Sequence, residues 1–103
     1  MRCTIRHMPC GWVYIMSNRR NGTLYTGVTA EILRRAYEHR TGTGGVFTTR
    51  YGLIRLVWFE RHEWIGDAIR RETNIKGWNR AWKVRLIHAE NPEWVDLYPA
   101  LLR

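Results

Sequence analysis

Residues 12–28 read WVYIMSNRRNGTLYTGV, and the architecture predicted for the chain follows from them. Two runs within this stretch, 12–16 and 23–28, are rich in β-branched and aromatic residues and are typical of β-strands. Between them, Asn21-Gly22 is a strong signal for a hairpin turn, because both residues tolerate a positive φ. The stretch therefore predicts an antiparallel β-hairpin.

The length of the turn sets the pairing of the two strands, and the sequence leaves it open. A two-residue turn at Asn21-Gly22 would place Asn18 opposite Tyr25. Because side chains alternate along a strand, Tyr14 would then share a face with Asn18 and with Tyr25. A longer loop would bring Tyr14 and Tyr25 opposite each other on that face.

A helix is predicted directly after the hairpin. Thr29 is a suitable N-cap, and Glu31 matches the positive end of the helix dipole. Arg35 and His39 lie four residues apart and are therefore neighbours on the surface of this helix.

A glycine-rich segment separates this helix from the remaining elements. Residues 42–45 are more typical of a flexible linker than of a phosphate-binding loop, and we predict a mobile loop from there through Arg50. The apolar run 53–59 is predicted to be a central strand. Two further helices are predicted, one over 64–76 and one over 79–89, for which Asn79 is a suitable N-cap.

Together these elements predict a small α+β domain, in which helices flank a three-stranded antiparallel sheet in the order β-β-α-β-α-α. Residues 1–10 are interpreted as a short leader, 11–98 as one domain and 99–103 as a C-terminal tail. The length of 103 residues fits a single domain. Cys3 and Cys10 both lie in the leader and do not form a disulfide framework.

The composition is strongly basic. The 17 Lys and Arg residues outnumber the 9 Asp and Glu residues, which gives a net charge of +8. Fifteen of the 17 are Arg, whose planar guanidinium can bind two phosphate oxygens at once. We therefore expect a nucleic acid partner and no membrane partner. Because the sequence has neither an 18-residue apolar run nor an apolar leader segment, a cytoplasmic protein is expected.

Glu72 is the most informative acidic residue. It falls on the core-facing stripe of its predicted helix, whose other members are Ile65, Ala68, Ile69, Ile75 and Lys76. A carboxylate aimed at a core is costly unless it is paired or binds a metal ion. Spacing alone leaves both interpretations open, a metal ligand and a partner for a nearby arginine.

Several common catalytic motifs are absent from the sequence. It has no CxxC pair, no HExxH, no GxxxxGK[ST] and no GxSxG. Asp67 and Asp96 are the only aspartates, so the carboxylates that would bridge two metal ions are scarce. These absences argue against most zinc-finger, NTPase and hydrolase classes.

The order of several weaker signals resembles the GIY-YIG nuclease family, in particular its small stand-alone bacterial members. Val13-Tyr14 stands where the family has Ile-Tyr, and Tyr25-Thr26-Gly27 stands for its Tyr-Ile-Gly motif. The likeness runs from Gly11 to about Leu97. The other segments that carry it are 33–39, 47–51, 56–60, 68–72, 75–78 and 91–94.

The resemblance implies an endonuclease that hydrolyses phosphodiester bonds in DNA with one divalent cation, Mg²⁺ or Mn²⁺. Tyr25 would be the general base toward the attacking water, and Tyr14 would orient that water or the scissile phosphate. Arg35 would stabilise charge on the phosphate, and His39 would transfer a proton or contact the phosphate. Glu72 would hold the cation.

Further residues are candidates for contacts outside the reaction centre. Those predicted to contact the nucleic acid are Arg50, Lys76, Arg80 and Lys83. Asn79 and Asn91 are both candidates for an asparagine that family members often have near the active site. The alternative function is a basic nucleic-acid-binding module with little or no catalytic activity. Because larger family members carry an attached recognition domain, we expect a protein partner or a homodimer to supply specificity here.

Overall fold

The computed structural model describes residues 4–5 and 8–103. Within these residues no helix is both long and apolar enough to cross a membrane. The strands are β1 (Thr4–Ile5), β2 (Met8–Pro9), β3 (Gly11–Ser17), β4 (Leu24–Thr29) and β5 (Arg55–His62). The helices are α1 (Ile32–Thr41), α2 (Val46–Arg50), α3 (Ile65–Lys76), α4 (Arg80–Glu90) and α5 (Tyr98–Leu101).

Three of the strands form an antiparallel sheet in the order β4-β3-β5. This sheet, flanked by helices, confirms the predicted α+β fold class. The prediction of a central strand at 53–59 is wrong, because β5 lies at an edge and β3 is central. The apolar character of β5 reflects cover on both of its faces, since Leu56, Val57 and Trp58 are all buried.

The segment interpreted as a leader contains a separate two-stranded ladder, formed by β1 and β2. Cys10 follows this ladder, is fully buried in the core, and is not a free thiol. Cys3 lies outside the described residues.

The hairpin between β3 and β4 has a loop of six residues, 18–23, so a two-residue turn at Asn21-Gly22 is wrong. Asn21 does adopt a positive φ of 58°, as the sequence signal requires. The Arg80 guanidinium stabilises the longer loop, because its Nη2 donates to the carbonyl oxygens of Asn21 at 2.9 Å and of Gly22 at 2.7 Å. Tyr14 pairs with Gly27 in this register, and Tyr25 lies diagonally from Tyr14 on the same face.

The sheet is covered on both faces, because alternate residues of β3 point to opposite sides. Tyr14 packs in one cluster with Ile32 of α1. Ile15 packs in the other cluster with Ala68 of α3 and Ile87 of α4. Helices α1 and α3 therefore lie on opposite faces of the sheet.

The start of α1 and the segment after it differ from the prediction. Glu31, and not Thr29, is the N-cap, although the Thr29 hydroxyl accepts a hydrogen bond from the Glu31 N–H at 3.1 Å. Gly42 ends α1 with a φ of 81°, which agrees with a glycine stop. The predicted mobile loop is wrong in part, because α2 forms within it. The burial of Thr48 and the bond from the Leu53 N–H to its carbonyl at 2.9 Å hold α2 in place.

The two predicted helices of the C-terminal half are confirmed as α3 and α4. Asn79 is the N-cap of α4, where its Oδ1 accepts from the Trp82 N–H at 2.9 Å. Asn91 lies at the other end of α4 and is buried. Its Nδ2 donates to the Val57 and Val95 carbonyl oxygens at 3.0 and 2.8 Å, so it joins α4, β5 and the following chain.

We expect Asn91→Ala to lower the free energy of unfolding by about 1–3 kcal/mol, because it leaves the Val57 carbonyl buried without a donor. Urea denaturation followed by circular dichroism measures the change. Asn74→Ala is the control, since Asn74 is exposed on α3, and it should shift stability by less than about 0.5 kcal/mol. Equal effects of the two substitutions would contradict the role assigned to Asn91.

Candidate active site

Four of the predicted site residues meet on the α1 face of the sheet. Strands β3 and β4 supply Tyr14 and Tyr25, and α1 supplies Arg35 and His39, one turn apart. The His39 ring centroid lies 5.6 Å from that of Tyr14 and 5.5 Å from that of Tyr25. The two tyrosine centroids are 6.3 Å apart. We call these four residues the Tyr14 cluster.

The Tyr14 hydroxyl connects the cluster. It is hydrogen bonded to His39 Nε2 at 3.1 Å, and it accepts a hydrogen bond from Arg35 Nε at 3.2 Å. The side chain is almost completely buried. Burial raises the pKa of Tyr14 to about 12, although Arg35 opposes the shift. Tyr14 is therefore a neutral, fixed hydrogen-bonding group at neutral pH.

Gly27 makes room for the Tyr14 ring. A Cβ at position 27 would lie 2.5 Å from both the hydroxyl oxygen and Cζ of Tyr14, which is closer than any side chain can approach. This contact explains why the Tyr25-Thr26-Gly27 segment ends in glycine. A side chain at position 27 would displace the hydroxyl that holds Arg35 and His39.

The Arg35 guanidinium has a partner at each of its three nitrogens. Besides the bond to Tyr14, Nη1 donates to Glu38 Oε1 at 3.1 Å and Nη2 donates to the Gly44 carbonyl oxygen at 2.8 Å. Burial opposes the charge, but the bonds to Tyr14 and Glu38 outweigh it and raise the pKa of Arg35. The hydrogen bond from Arg35 in turn lowers the pKa of Glu38. The guanidinium is therefore cationic and fixed in orientation.

Sequence reasoning missed Glu38 and Gly44 as parts of the site. The three-residue spacing of Arg35 and Glu38 on a helix could have indicated their ion pair. No comparable signal was available for Gly44, because its carbonyl reaches Arg35 only once the chain has turned back after α1. Gly44 also packs on His39, since a Cβ there would lie 2.7 Å from the imidazole Nδ1.

His39 is buried and uncharged. Burial lowers its pKa to about 4, and the positive charge of Arg35 adds to the shift. Its Nδ1 has no hydrogen-bond partner within the described residues. His39 therefore supports Tyr14 through Nε2 and leaves Arg35 as the cation of the cluster.

Glu72 lies apart from the Tyr14 cluster. It is on the stripe of α3 that packs on the other face of the sheet, with Ala68 and Ile75, and its side chain is 14% exposed. Its Oε2 forms an ion pair with Lys76 Nζ at 3.1 Å. The predicted stripe is wrong at Ile69 and Lys76, which are exposed, because the buried strip of α3 is narrow.

The residues predicted to contact nucleic acid are engaged in different ways. Arg80 holds the hairpin loop, Lys76 pairs with Glu72, and Lys83 is half-buried on α4. The Arg50 guanidinium lies 5.7 Å from the ring centroid of Tyr51, on the same side as the Tyr14 cluster. Asn79 and Asn91, described above, bond to the main chain at the two ends of α4.

Comparisons with known proteins identify the family of the chain. Residues 10–85 match the model of the GIY-YIG catalytic domain, and the chain belongs to that family. A UPF0213 protein of Natronomonas pharaonis is 39% identical over 79 residues, which cover 77% of this chain and 92% of that protein. A UPF0213 protein of Staphylococcus aureus is 35% identical over 80 residues, which cover 78% of this chain and 96% of that protein.

A solved structure supports the same assignment. The solution NMR structure of a UPF0213 protein from Bacillus halodurans has a TM-score of 0.54 and is 29% identical. The match covers 84% of this chain and 92% of that one. The names of these relatives state no activity, so activity is argued below from the site itself.

We expect the folded protein to lose stability in acid through His39. Its pKa of about 4 lies below the unfolded value of about 6.5, so the unfolded chain takes up the proton first. The stability that neutral His39 contributes to the fold is fully present above about pH 6.5 and is lost as the pH falls towards 4. The free energy of unfolding of both proteins should fall between pH 7 and pH 4. In His39→Gln this fall should be about 2–3 kcal/mol smaller than in the parent. Urea titrations at each pH measure this, and equal losses in the two proteins would contradict a buried neutral His39.

Proposed function

We propose that the protein is a divalent-metal-dependent endonuclease that hydrolyses phosphodiester bonds in DNA. The observation that carries the proposal is the fixed Arg35 guanidinium, held by Tyr14 and Gly44 beside the ring of Tyr25. A fixed guanidinium suits a phosphate, because it can stabilise charge there without reorganising during the reaction. The net charge of +8 supports a polyanionic substrate.

The two tyrosines differ in burial and bonding, which supports a different role for each. Tyr14 is buried, is bonded to Arg35 and His39, and has a pKa of about 12, so it is unsuited to take a proton. Tyr25 is half-buried, and its ring lies between the Tyr14 cluster and the partly exposed ring of Phe47. Tyr25 is therefore the general base toward water, and Tyr14 is a positioning residue that orients Arg35.

Substrate binding requires a change of partners at Arg35. The ion pair with Glu38 occupies Nη1, which a phosphate oxygen would take over. The exchange is possible because a phosphodiester, like the carboxylate, carries one negative charge on two oxygens that a guanidinium can bind. The bonds to Tyr14 and Gly44 can persist and keep the guanidinium aimed at the substrate. His39, uncharged at neutral pH, acts through Tyr14 and not as a second cation.

Glu72 is the candidate ligand for one Mg²⁺ or Mn²⁺ ion. Mg²⁺ sites often use one or two carboxylates and complete the octahedron with waters and phosphate oxygens, which fits this shielded lone carboxylate. The described residues hold no group of three or more potential ligands, so the site is not a preformed cage. When bound, the ion would neutralise phosphate charge and stabilise the leaving oxygen. Lys76 must release the carboxylate for this to occur.

The Glu72–Lys76 ion pair also favours a second candidate function. A carboxylate that stays paired with Lys76 binds no metal, and the basic surface would then serve as a nucleic-acid-binding module. The two functions differ in their need for Glu72, which makes this residue the most direct test.

We expect Tyr25→Phe to slow DNA cleavage by about 100-fold or more, because general-base catalysis typically contributes at least that factor. Nicking of plasmid, branched and single-stranded DNA in Mg²⁺ measures the rate. Affinity for DNA in EDTA should change by less than about twofold, since the ring remains. Tyr37→Phe is the matched control, because this tyrosine is exposed on α1. Full activity in Tyr25→Phe would show that another group accepts the proton.

Removal of divalent ions with EDTA should abolish cleavage. Glu72→Gln keeps the shape of the side chain but removes its charge, and should raise the Mg²⁺ concentration for half-maximal rate by about tenfold or more. Glu63→Gln, which changes an exposed carboxylate, should behave like the parent. An unchanged metal requirement in Glu72→Gln would exclude Glu72 as the ligand. If the parent cleaves no DNA but binds it in a salt-sensitive way, the binding module is the correct function.

A further inference from the structure

Two exposed aromatic rings, one on α2 and one at its C-cap, lie next to the Tyr14 cluster. Phe47 and Tyr51 are 46% and 43% exposed, and their ring centroids are 4.8 Å apart. Exposed apolar side chains are common when scattered, but these two rings adjoin at an interplanar angle of 46° and form one continuous aromatic surface. We call Phe47 and Tyr51 the α2 platform.

The α2 platform is continuous with the candidate active site. The Phe47 ring centroid lies 6.2 Å from that of Tyr25, at an interplanar angle of 33°. Tyr25 in turn contacts Tyr14 and His39. A ligand that rests on Phe47 would therefore lie beside the residue proposed as general base.

Positive charge borders the platform on its other side. The Arg50 guanidinium is 5.7 Å from the Tyr51 ring centroid. An open cleft of about 500 Å³ adjoins the same helix and is lined by Gly42, Thr43, Gly45, Val46, Thr49 and Arg50. Aromatic rings with arginines nearby, Arg50 at Tyr51 and Arg35 in the adjoining Tyr14 cluster, match a nucleotide, which has a flat base and an anionic phosphate.

The helix that carries the rings is fixed to the body of the protein. Thr48, between the two rings in sequence, is buried, and its carbonyl accepts the Leu53 N–H at 2.9 Å. The Thr49 hydroxyl donates to the Gly42 carbonyl at 2.9 Å, which joins α2 to the end of α1. The rings are thus presented to solvent from a supported helix.

We propose that the α2 platform stacks an unpaired base of the nucleotide next to the scissile phosphate, so that the protein selects strands whose bases are unpaired. Base–aromatic stacking tolerates any base, because each has a π-face, whereas a base inside a duplex is already stacked. The proposal rests on the proposed function for the position of the reacting phosphate. The stacking of a base can be tested by binding alone, without cleavage.

Binding measured in EDTA tests the platform without cleavage. Fluorescence polarisation compares a labelled single strand of about 20 nucleotides with an abasic strand of equal length and charge. The parent should bind the base-bearing strand about tenfold more tightly than the abasic strand, within the range that one stacked base contributes. In Phe47→Leu and Tyr51→Leu this preference should fall to about twofold, while affinity for the abasic strand stays the same.

Two control variants separate stacking from other effects. Phe47→Tyr retains a ring and should retain the preference. Trp82→Leu removes a similarly exposed aromatic ring from α4, on the other face of the sheet, and should also retain it. Thermal unfolding of each variant verifies its fold. If Phe47→Leu does not fold, Tyr51→Leu compared with Phe47→Tyr decides the question.

Two results would overturn the inference. Equal affinity of the parent for the two strands would mean that the rings bind no base, and would leave them as a surface for a protein partner. Equal losses of affinity for both strands in the leucine variants would mean that the rings stabilise the fold and do not stack a base. A parent that prefers the base-bearing strand but never cleaves would refute the proposed function alone, and an active parent without the preference would refute the platform alone.

Discussion

The hydrogen bonds of the Tyr14 hydroxyl position the other parts of the site. A buried hydroxyl must be bonded, and here its partners are two side chains of the same helix, Arg35 and His39. Because they lie one turn apart, one oxygen atom fixes both the rotation and the height of α1 on the sheet. The two close glycines follow from the same contact: Gly27 admits the Tyr14 ring, and Gly44 admits the imidazole.

Burial also determines which residues of the Tyr14 cluster are charged. His39 is held neutral and Tyr14 is held protonated, so Arg35 carries the positive charge of the Tyr14 cluster. Glu38 balances that charge in the absence of a substrate. A phosphate bound as proposed would meet one cation in one orientation, which is the condition for stabilising charge that develops at a defined oxygen.

Local signals in the sequence predicted local structure, and contacts between distant segments account for the differences. The Asn79 cap, the Gly42 stop and the neighbouring positions of Arg35 and His39 were all predictable, because each depends on residues within one helical turn. The length of the hairpin loop was not, since Arg80 supports it from almost 60 positions away. The stripe on α3 predicted that Glu72 faces the sheet, but a stripe does not specify which face.

The position of Glu72 constrains how one site can use both faces of the sheet. Tyr14 and Ile15 are consecutive in the central strand and point to opposite faces. The sheet therefore separates the side chains of α1 from those of α3. Strand β4, which carries Tyr25, is an edge strand in contact with α3. As an edge strand, β4 has no neighbouring strand on its outer side within this sheet. If Arg35 and Glu72 act on one substrate as proposed, its backbone would have to pass this edge of the sheet.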